Sequence, residues 1–222
     1  MKKWIVLLSM LIVLVGCNEK QEESPIDSPP DEQDGTKDVD REGSFTHEAI
    51  LEGADMAAFF LEDGATAHFH GEGNEFATYT TRMEWLDERH VNVYENNGGV
   101  ELAKSYRIDD DRIVLLREEP LQTENETVSI EEIKELKSIR PYLISPLEVG
   151  DEIGSWTVVS VDETVETPMQ QFEQVIVLEE TFEDGAVSRS YFAIGFGEIK
   201  RSYSAQDGDN PFEVTSEIES IE

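Results

Sequence analysis

From residue 76 onward, apolar and polar residues alternate with a period of two over most of the chain, the pattern of strands with one buried face. The stretch "FATYTTRMEW" puts Tyr79, Thr81, Met83 and Trp85 on one side. "HVNVYE" follows it, and then Asn96-Asn97-Gly98-Gly99, a hairpin signal, because asparagine and glycine accept the left-handed backbone of tight turns. "VELAKSYRI" aligns Val100, Leu102, Tyr106 and Ile108, and Asp109-Asp110-Asp111 turns the chain into "RIVLLR". Ser129–Ile139 ("SIEEIKELKSI") reads as weakly helical. "WTVVSVD", "FEQVIVLEETF", "VSRSYFAI", "GEIKRSY" and "FEVTSEI" read as strands, divided by turn clusters at Glu183-Asp184-Gly185 and Asp207-Gly208-Asp209-Asn210-Pro211. The pattern predicts a mainly β domain: about ten strands in a meandering antiparallel sheet, curved or barrel-like so that its edges are hidden, with at most one short helix. Leu61-Glu62-Asp63-Gly64 ahead of Phe69 is echoed by Leu147-Glu148-Val149-Gly150 ahead of Trp156. Each is a turn leading into an aromatic-bearing strand, and the echo suggests two similar halves.

The start of the chain breaks this pattern. After Lys2 and Lys3, an apolar run from Trp4 to Val15 is interrupted only by Ser9. As a helix the run reaches about 18 Å, whereas a bilayer core of roughly 30 Å calls for about 20 residues. A basic start and a short apolar segment ending in small residues make the secretory signal pattern. Leu14-Val15-Gly16-Cys17 resembles the lipobox of bacterial lipoproteins, in which the thiol receives a diacylglycerol and the chain is cut just before it. Val15 stands where Ala or Ser is more usual. Cys17 is the only cysteine, so an exported chain offers it no disulfide partner within itself. Residues 18–44 carry ten acidic and three basic side chains with Pro25, Pro29 and Pro30, and among aliphatics only Ile26 and Val39. Such a stretch cannot bury enough apolar surface to overcome the entropy of ordering it. The expected organisation is a signal peptide at 1–16, the lipidated Cys17 with an acidic disordered tether through residue 44, and a β-rich extracytoplasmic domain at 45–222. The tether would span roughly 30 Å as a flexible coil.

Charge narrows the partners. The formal net charge is −33, and residues 45–222 alone carry 40 acidic and 12 basic side chains, or −28. This argues against nucleic acid, which rewards clustered Lys and Arg, and against docking on anionic headgroups. The lipid on Cys17 is left to hold the protein at the membrane. The acidic exterior fits salty or alkaline surroundings, or weak Ca²⁺ binding by carboxylates. Asp207-Gly208-Asp209 opens like a calcium loop, but the twelfth position is Ile218 instead of Glu, so that motif fails.

Two signatures resemble a known group. One is "GEGNEFATYT" (Gly71–Thr80) with "ENNGG" (Glu95–Gly99). The other runs through "SPLEVGDEIGSW" (Ser145–Trp156), "TVETPMQQFEQVIVLE" (Thr164–Glu179) and "YFAIGFGEIKRSY" (Tyr191–Tyr203). Together they resemble uncharacterised lipid-anchored lipoproteins of Bacillus-like Gram-positive bacteria. The resemblance implies an exported, lipid-anchored, β-rich domain and implies no reaction. On the residues themselves, Gly195 and Gly197 straddle Phe196 and allow a bulge or a close backbone approach. The signatures read as fold determinants, with a ligand groove as the alternative.

Candidate chemistry is sparse. His68, His70 and Glu72 share one face of a strand, with Phe69 turned to the core, and two imidazoles with a carboxylate make a metal set. No G-x-S-x-G, G-x-x-x-x-G-K-[ST] or H-E-x-x-H motif occurs, and the lone thiol is used by the lipid. His47 and His90 have no recognisable nucleophile partner, and no cofactor is implied. The expectation is a non-catalytic binding or scaffold module on the outer face of the cytoplasmic membrane, presenting a groove or edge to a peptide, envelope component or partner protein. The alternative is a metal or small-ligand carrier using the His68–Glu72 strand; a hydrolase whose site no local motif reveals is the remaining one. An apolar pocket in the concave face favours ligand carriage, and a fully packed barrel favours scaffolding. Replacing the lipidation thiol tests the anchor: Cys17→Ala is expected to leave unprocessed precursor or to release protein to the medium. Mature variant that still partitions into detergent would contradict the assignment.

Overall fold

The computed structural model describes residues 55–121, 128–207 and 210–222, with the side chains of residues 207 and 210 outside the description. The signal, Cys17 and the tether lie outside the described residues, as do His47 and the heart of the Asp207–Pro211 turn.

Twelve antiparallel strands form one sheet in the order β6-β5-β4-β3-β2-β1-β12-β11-β10-β9-β8-β7. They are β1 Thr66–Glu72, β2 Tyr79–Asp87, β3 His90–Asn96, β4 Glu101–Asp109, β5 Arg112–Pro120, β6 Arg140–Ile144, β7 Glu152–Ile153, β8 Trp156–Glu166, β9 Gln171–Thr181, β10 Val187–Ala193, β11 Gly197–Asp207 and β12 Asn210–Ile221. Within β1–β6 and within β7–β12 each strand pairs with its neighbour in sequence, β1 pairs with β12, and the edge strands β6 and β7 approach each other without pairing. The result is an up-and-down barrel closed everywhere by hydrogen bonds except at the β6/β7 seam, which removes most of the exposed edge. The ten strands legible in the sequence are present. The two that are not are β6 and β7. β6 carries Pro141, which a strand tolerates only at an edge or bulge, and β7 has two residues, too few to show a period.

The inward face follows the alternation. Tyr79, Thr81 and Met83 of β2 are buried, as are Tyr106 and Ile108 of β4. Val100, expected in the same row, is exposed where the β3–β4 turn leaves the barrel. One end of the lumen is filled by the segment ahead of β1. A short 3₁₀ helix (Met56–Phe59) is capped by Asp55, whose carboxylate accepts from the Ala57 N–H at 3.0 Å. It buries Met56 and Phe59, and Phe60 packs on Trp85 and Tyr106. Outside the barrel, α1 (Ile130–Lys134) covers β3–β5. Its Ser129 cap and Glu132 form a capping box, and Ile133 packs with Tyr94, Ala103, Val114 and Leu116. Beneath it, buried Asn92 donates to Glu84 and accepts from the Ser105 hydroxyl.

The two echoed turns make the same hydrogen bonds. Ala65 N–H donates to Glu62 O at 3.1 Å, and Asp151 N–H to Glu148 O at 3.1 Å. Gly64 N–H donates to Met83 O on β2 and Gly150 N–H to Val158 O on β8. Met83 N–H returns to Ala65 O and Val158 N–H to Asp151 O. Both glycines have positive φ and both leucines are buried. Each turn opens a six-stranded meander, so the echo marks two similar halves.

Gly197 has the close approach its sequence context suggested. Its φ is +77°, and a Cβ there would stand 2.4 Å from the Phe59 carbonyl oxygen, while Gly195 N–H donates to Ala58 O at 2.7 Å. The plug therefore rests on a bare backbone. Gly197→Ala is expected to cost about 2 kcal/mol or more in urea unfolding, combining backbone strain with displacement of the plug. Gly185→Ala, at φ +85° with open space around it, is expected to cost about 1 kcal/mol. Equal losses for the two would show that the plug contact is unimportant.

Candidate functional site

The half of the lumen away from the plug is hollow. A cavity of about 400 Å³ opens at the end formed by the β1–β2 loop, the β3–β4 turn and the starts of β6, β8 and β10. Its walls are Phe76, Tyr79, Tyr106, Tyr142, Trp156, Phe192 and Tyr203. Phe76, 54% exposed, lies against Gly99, where a Cβ would come within 3.2 Å of its ring. Its loop is held tightly: a Cβ at Gly71 would meet the Ala77 carbonyl carbon at 2.1 Å, and one at Gly73 would meet the Glu213 carbonyl oxygen at 2.2 Å. The Ser216 hydroxyl completes the clamp by donating to Ala77 O at 2.6 Å.

The floor is an ionic layer that joins the two halves. Arg201 of β11 donates through Nη2 to Glu95 Oε2 of β3 at 2.7 Å and through Nε to Glu198 Oε2 at 2.6 Å. Lys104 of β4 donates to the same Glu95 oxygen at 2.8 Å and lies 3.6 Å from Glu118. The Ser190 hydroxyl donates to the other Glu198 oxygen. The Arg201 guanidinium lies over the Tyr79 ring at 4.6 Å, and Phe69 stacks beneath that ring at 4.3 Å. Below the layer, a void of about 40 Å³ lies between Glu95, Lys104, Glu198 and Arg201 on one side and Phe59, Phe60 and Leu61 of the plug on the other.

These contacts set the charges. Burial pushes the Glu95 carboxyl up, but the Arg201 guanidinium and the Lys104 ammonium outweigh it and hold the group at about 2. Burial works against a charged Arg201, and the facing Glu198, Tyr79 and Glu95 more than reverse it. Burial, with Glu198 and Glu118 nearby, holds the Tyr106 phenol above the ordinary tyrosine range, and burial does the same for Tyr142. Glu95 and Arg201 are thus ionised at neutral pH, while these two phenols are neutral.

The residues proposed as a metal set are placed elsewhere. His68, His70 and Glu72 lie on the outer face of β1, with Phe69 turned inward as expected. His68 Nε2 is 3.5 Å from Glu222, and His70 Nε2 is 3.8 Å from Glu72. Among the described residues, no group of three or more His, Cys, Asp or Glu is gathered so as to hold a metal ion. His90 pairs with Asp87 at 2.8 Å, near Lys134. In the sequence the cavity residues read as turn and strand material. Phe76, Tyr79, Glu95, Asn97, Glu198 and Arg201 all fall within the two signatures, which therefore serve the fold and the cavity together. The available signal was phase: Glu95 continues the inward row of Val91 and Val93, and Lys104 stands in phase with Tyr106 and Ile108. A charged residue in an apolar row marks a paired, buried group.

The depressed Glu95 pKa gives stability a pH signature. The group is ionised in the fold over a range where it is protonated when unfolded, so its contribution is present above about pH 4.5. It is lost as pH falls towards about 2. Urea titrations should show Glu95→Gln less stable than wild type at neutral pH, with the gap closing over that window by on the order of 3 kcal/mol. Parallel pH curves for the two proteins would contradict the pairing.

No family model matches the chain, and no curated protein matches it. Two solved structures are similar to it. One is a Bacteroides fragilis protein assigned as exported and as having a YmcC-like fold, at TM-score 0.46 and 12% identity, covering 74% of this chain and 98% of that one. The other is a Parabacteroides distasonis protein assigned as a lipoprotein, at TM-score 0.45 and 9% identity, again covering 74% of this chain and 98% of that one.

Proposed function

We propose that the chain is a non-catalytic binding module, anchored through lipid on Cys17 at the outer face of the cytoplasmic membrane, that holds a small ligand in the mouth of its barrel. The observation carrying this reading is the aromatic-walled cavity of about 400 Å³ above an ionic floor. That volume falls within the range of about 300–1,000 Å³ usual for small-molecule sites. Filling the lumen with side chains would have favoured a scaffold, and here only its plug end is filled. The anchor rests on the Leu14–Cys17 motif and the acidic stretch behind it, which would carry the barrel clear of the lipid surface. The non-catalytic reading rests on the floor: Glu198, which accepts from the Ser190 hydroxyl, is tied to Arg201, and no described histidine lines the cavity.

Native mass spectrometry of the full chain isolated from membranes of expressing cells tests the reading. Wild type is expected to carry a small-molecule adduct that Ser188→Trp, which fills the mouth, removes while retaining the wild-type circular dichroism and thermal midpoint. Bare wild-type protein, or the same adduct on both, would sink the proposal.

A further inference from the structure

The cavity's floor is already matched in charge. There Arg201 and Lys104 face Glu95 and Glu198, and Lys104 also lies 3.6 Å from Glu118. The lining carries three acids and four bases, against the 40 and 12 of residues 45–222. Of the two remaining bases, Arg189 is bound to Glu179 at 2.7 Å and Arg140 is exposed at the rim. A charged ligand at the floor would have to draw a partner away from a shielded pair and leave the other ion uncompensated, which is strongly unfavourable.

The neutral groups are unused. Tyr106, Tyr142, Tyr203, Ser188 and Trp156 line the cavity, and none of their hydroxyl or indole N–H groups hydrogen-bonds to a described residue. Burial keeps the Tyr106 and Tyr142 phenols protonated, as neutral donors and acceptors. A purely apolar ligand would bury these groups without partners, at the cost of their hydration. A peptide strand would need an open edge, but β2, β3, β4, β10 and β11, which build most of the wall, are paired on both sides. What remains is a compact, uncharged molecule with many hydroxyls and apolar C–H faces to lie on aromatic rings.

We infer that the barrel mouth takes a neutral mono- or disaccharide, its hydroxyls bonded by the tyrosine hydroxyls, Ser188 and Trp156, and its ring faces packed on the aromatic wall. This rests on the barrel being a ligand-binding module, and its test separates the two. Isothermal titration of the full chain in detergent uses cellobiose and N,N′-diacetylchitobiose as neutral probes, with the protonated glucosamine dimer and digalacturonate as charged controls. At least one neutral sugar is expected to bind, with both charged sugars at least tenfold weaker. Tyr142→Phe and Tyr203→Phe should each weaken binding by about three- to tenfold, the loss of one hydrogen bond, with the thermal midpoint unchanged. A charged sugar that binds as well as the neutral ones, no binding by either neutral sugar, or phenylalanine variants with wild-type affinity would each overturn the assignment. If neutral sugars fail while the membrane-derived adduct is present and removed by Ser188→Trp, only the ligand class falls. If that adduct is absent too, both readings fall.

Discussion

Arg201 reaches across the lumen to Glu95, and the division of the barrel into a packed half and a hollow half depends on that contact. A guanidinium placed in a β-barrel interior must be matched in charge and in hydrogen bonds, or its desolvation would oppose folding. Glu95 and Glu198 supply both, and Lys104, bonded to Glu95, adds the second positive charge. The partners lie 106 residues apart in sequence, on β3 and β11, so the layer can assemble only when the two meanders have met through the β1–β12 pairing. Once formed, it is a polar surface that apolar side chains cannot profitably cover from above. Phe59, Phe69, Met83 and their neighbours pack beneath it, and the space above stays open.

The similarity of the halves explains the barrel's shape but not its site. The turns at Gly64 and Gly150 have the same hydrogen bonds because each must deliver a strand to the start of a meander. The meanders then diverge. β1 is a full strand and β7 only a stub, and β8 is bent by successive register shifts against β9. Bulges of this kind turn a strand without breaking its pairing. The floor draws two residues from each half, Glu95 and Lys104 from one and Glu198 and Arg201 from the other, at positions the echoed motif does not relate.

Much of the fold was legible because alternation is a local signal. Tyr79, Thr81 and Met83 could be assigned to one face from their spacing alone, and the helix start at Ser129 carries its cap partner Glu132 three residues on. β6 and β7 were illegible because Pro141 and a two-residue length leave no period to read. The site was less legible for a different reason. The strand rule looks for apolar residues in a row, and Lys104 interrupts the row that Tyr106 and Ile108 continue, so the rule passes over it. In a chain with 50 acidic residues, Glu95 and Glu198 do not stand out by composition. Their distinction lies in partners that only the closed barrel brings within reach. The His68–His70–Glu72 set shows the converse: a face shared along one strand placed each histidine beside a different carboxylate instead of gathering the three.

The contrast between exterior and interior charge bears on what the barrel can admit. An exterior with a large acidic excess repels anions at long range and attracts cations, more strongly in low salt. Had the lumen shared that excess, its own carboxylates would have raised one another's pKa values and taken up protons or cations instead of remaining ionised. The sequence instead puts Lys104 and Arg201, two of the domain's few cations, where they neutralise the floor. If the mouth binds a ligand as proposed, long-range steering and local recognition are decoupled: the surface field acts on solubility and on encounter, while selection inside the mouth is left to shape, aromatic faces and neutral hydroxyls. Such a site would gain little from a ligand's charge at the floor, and its specificity would come from how many hydroxyl partners a bound molecule can meet at once.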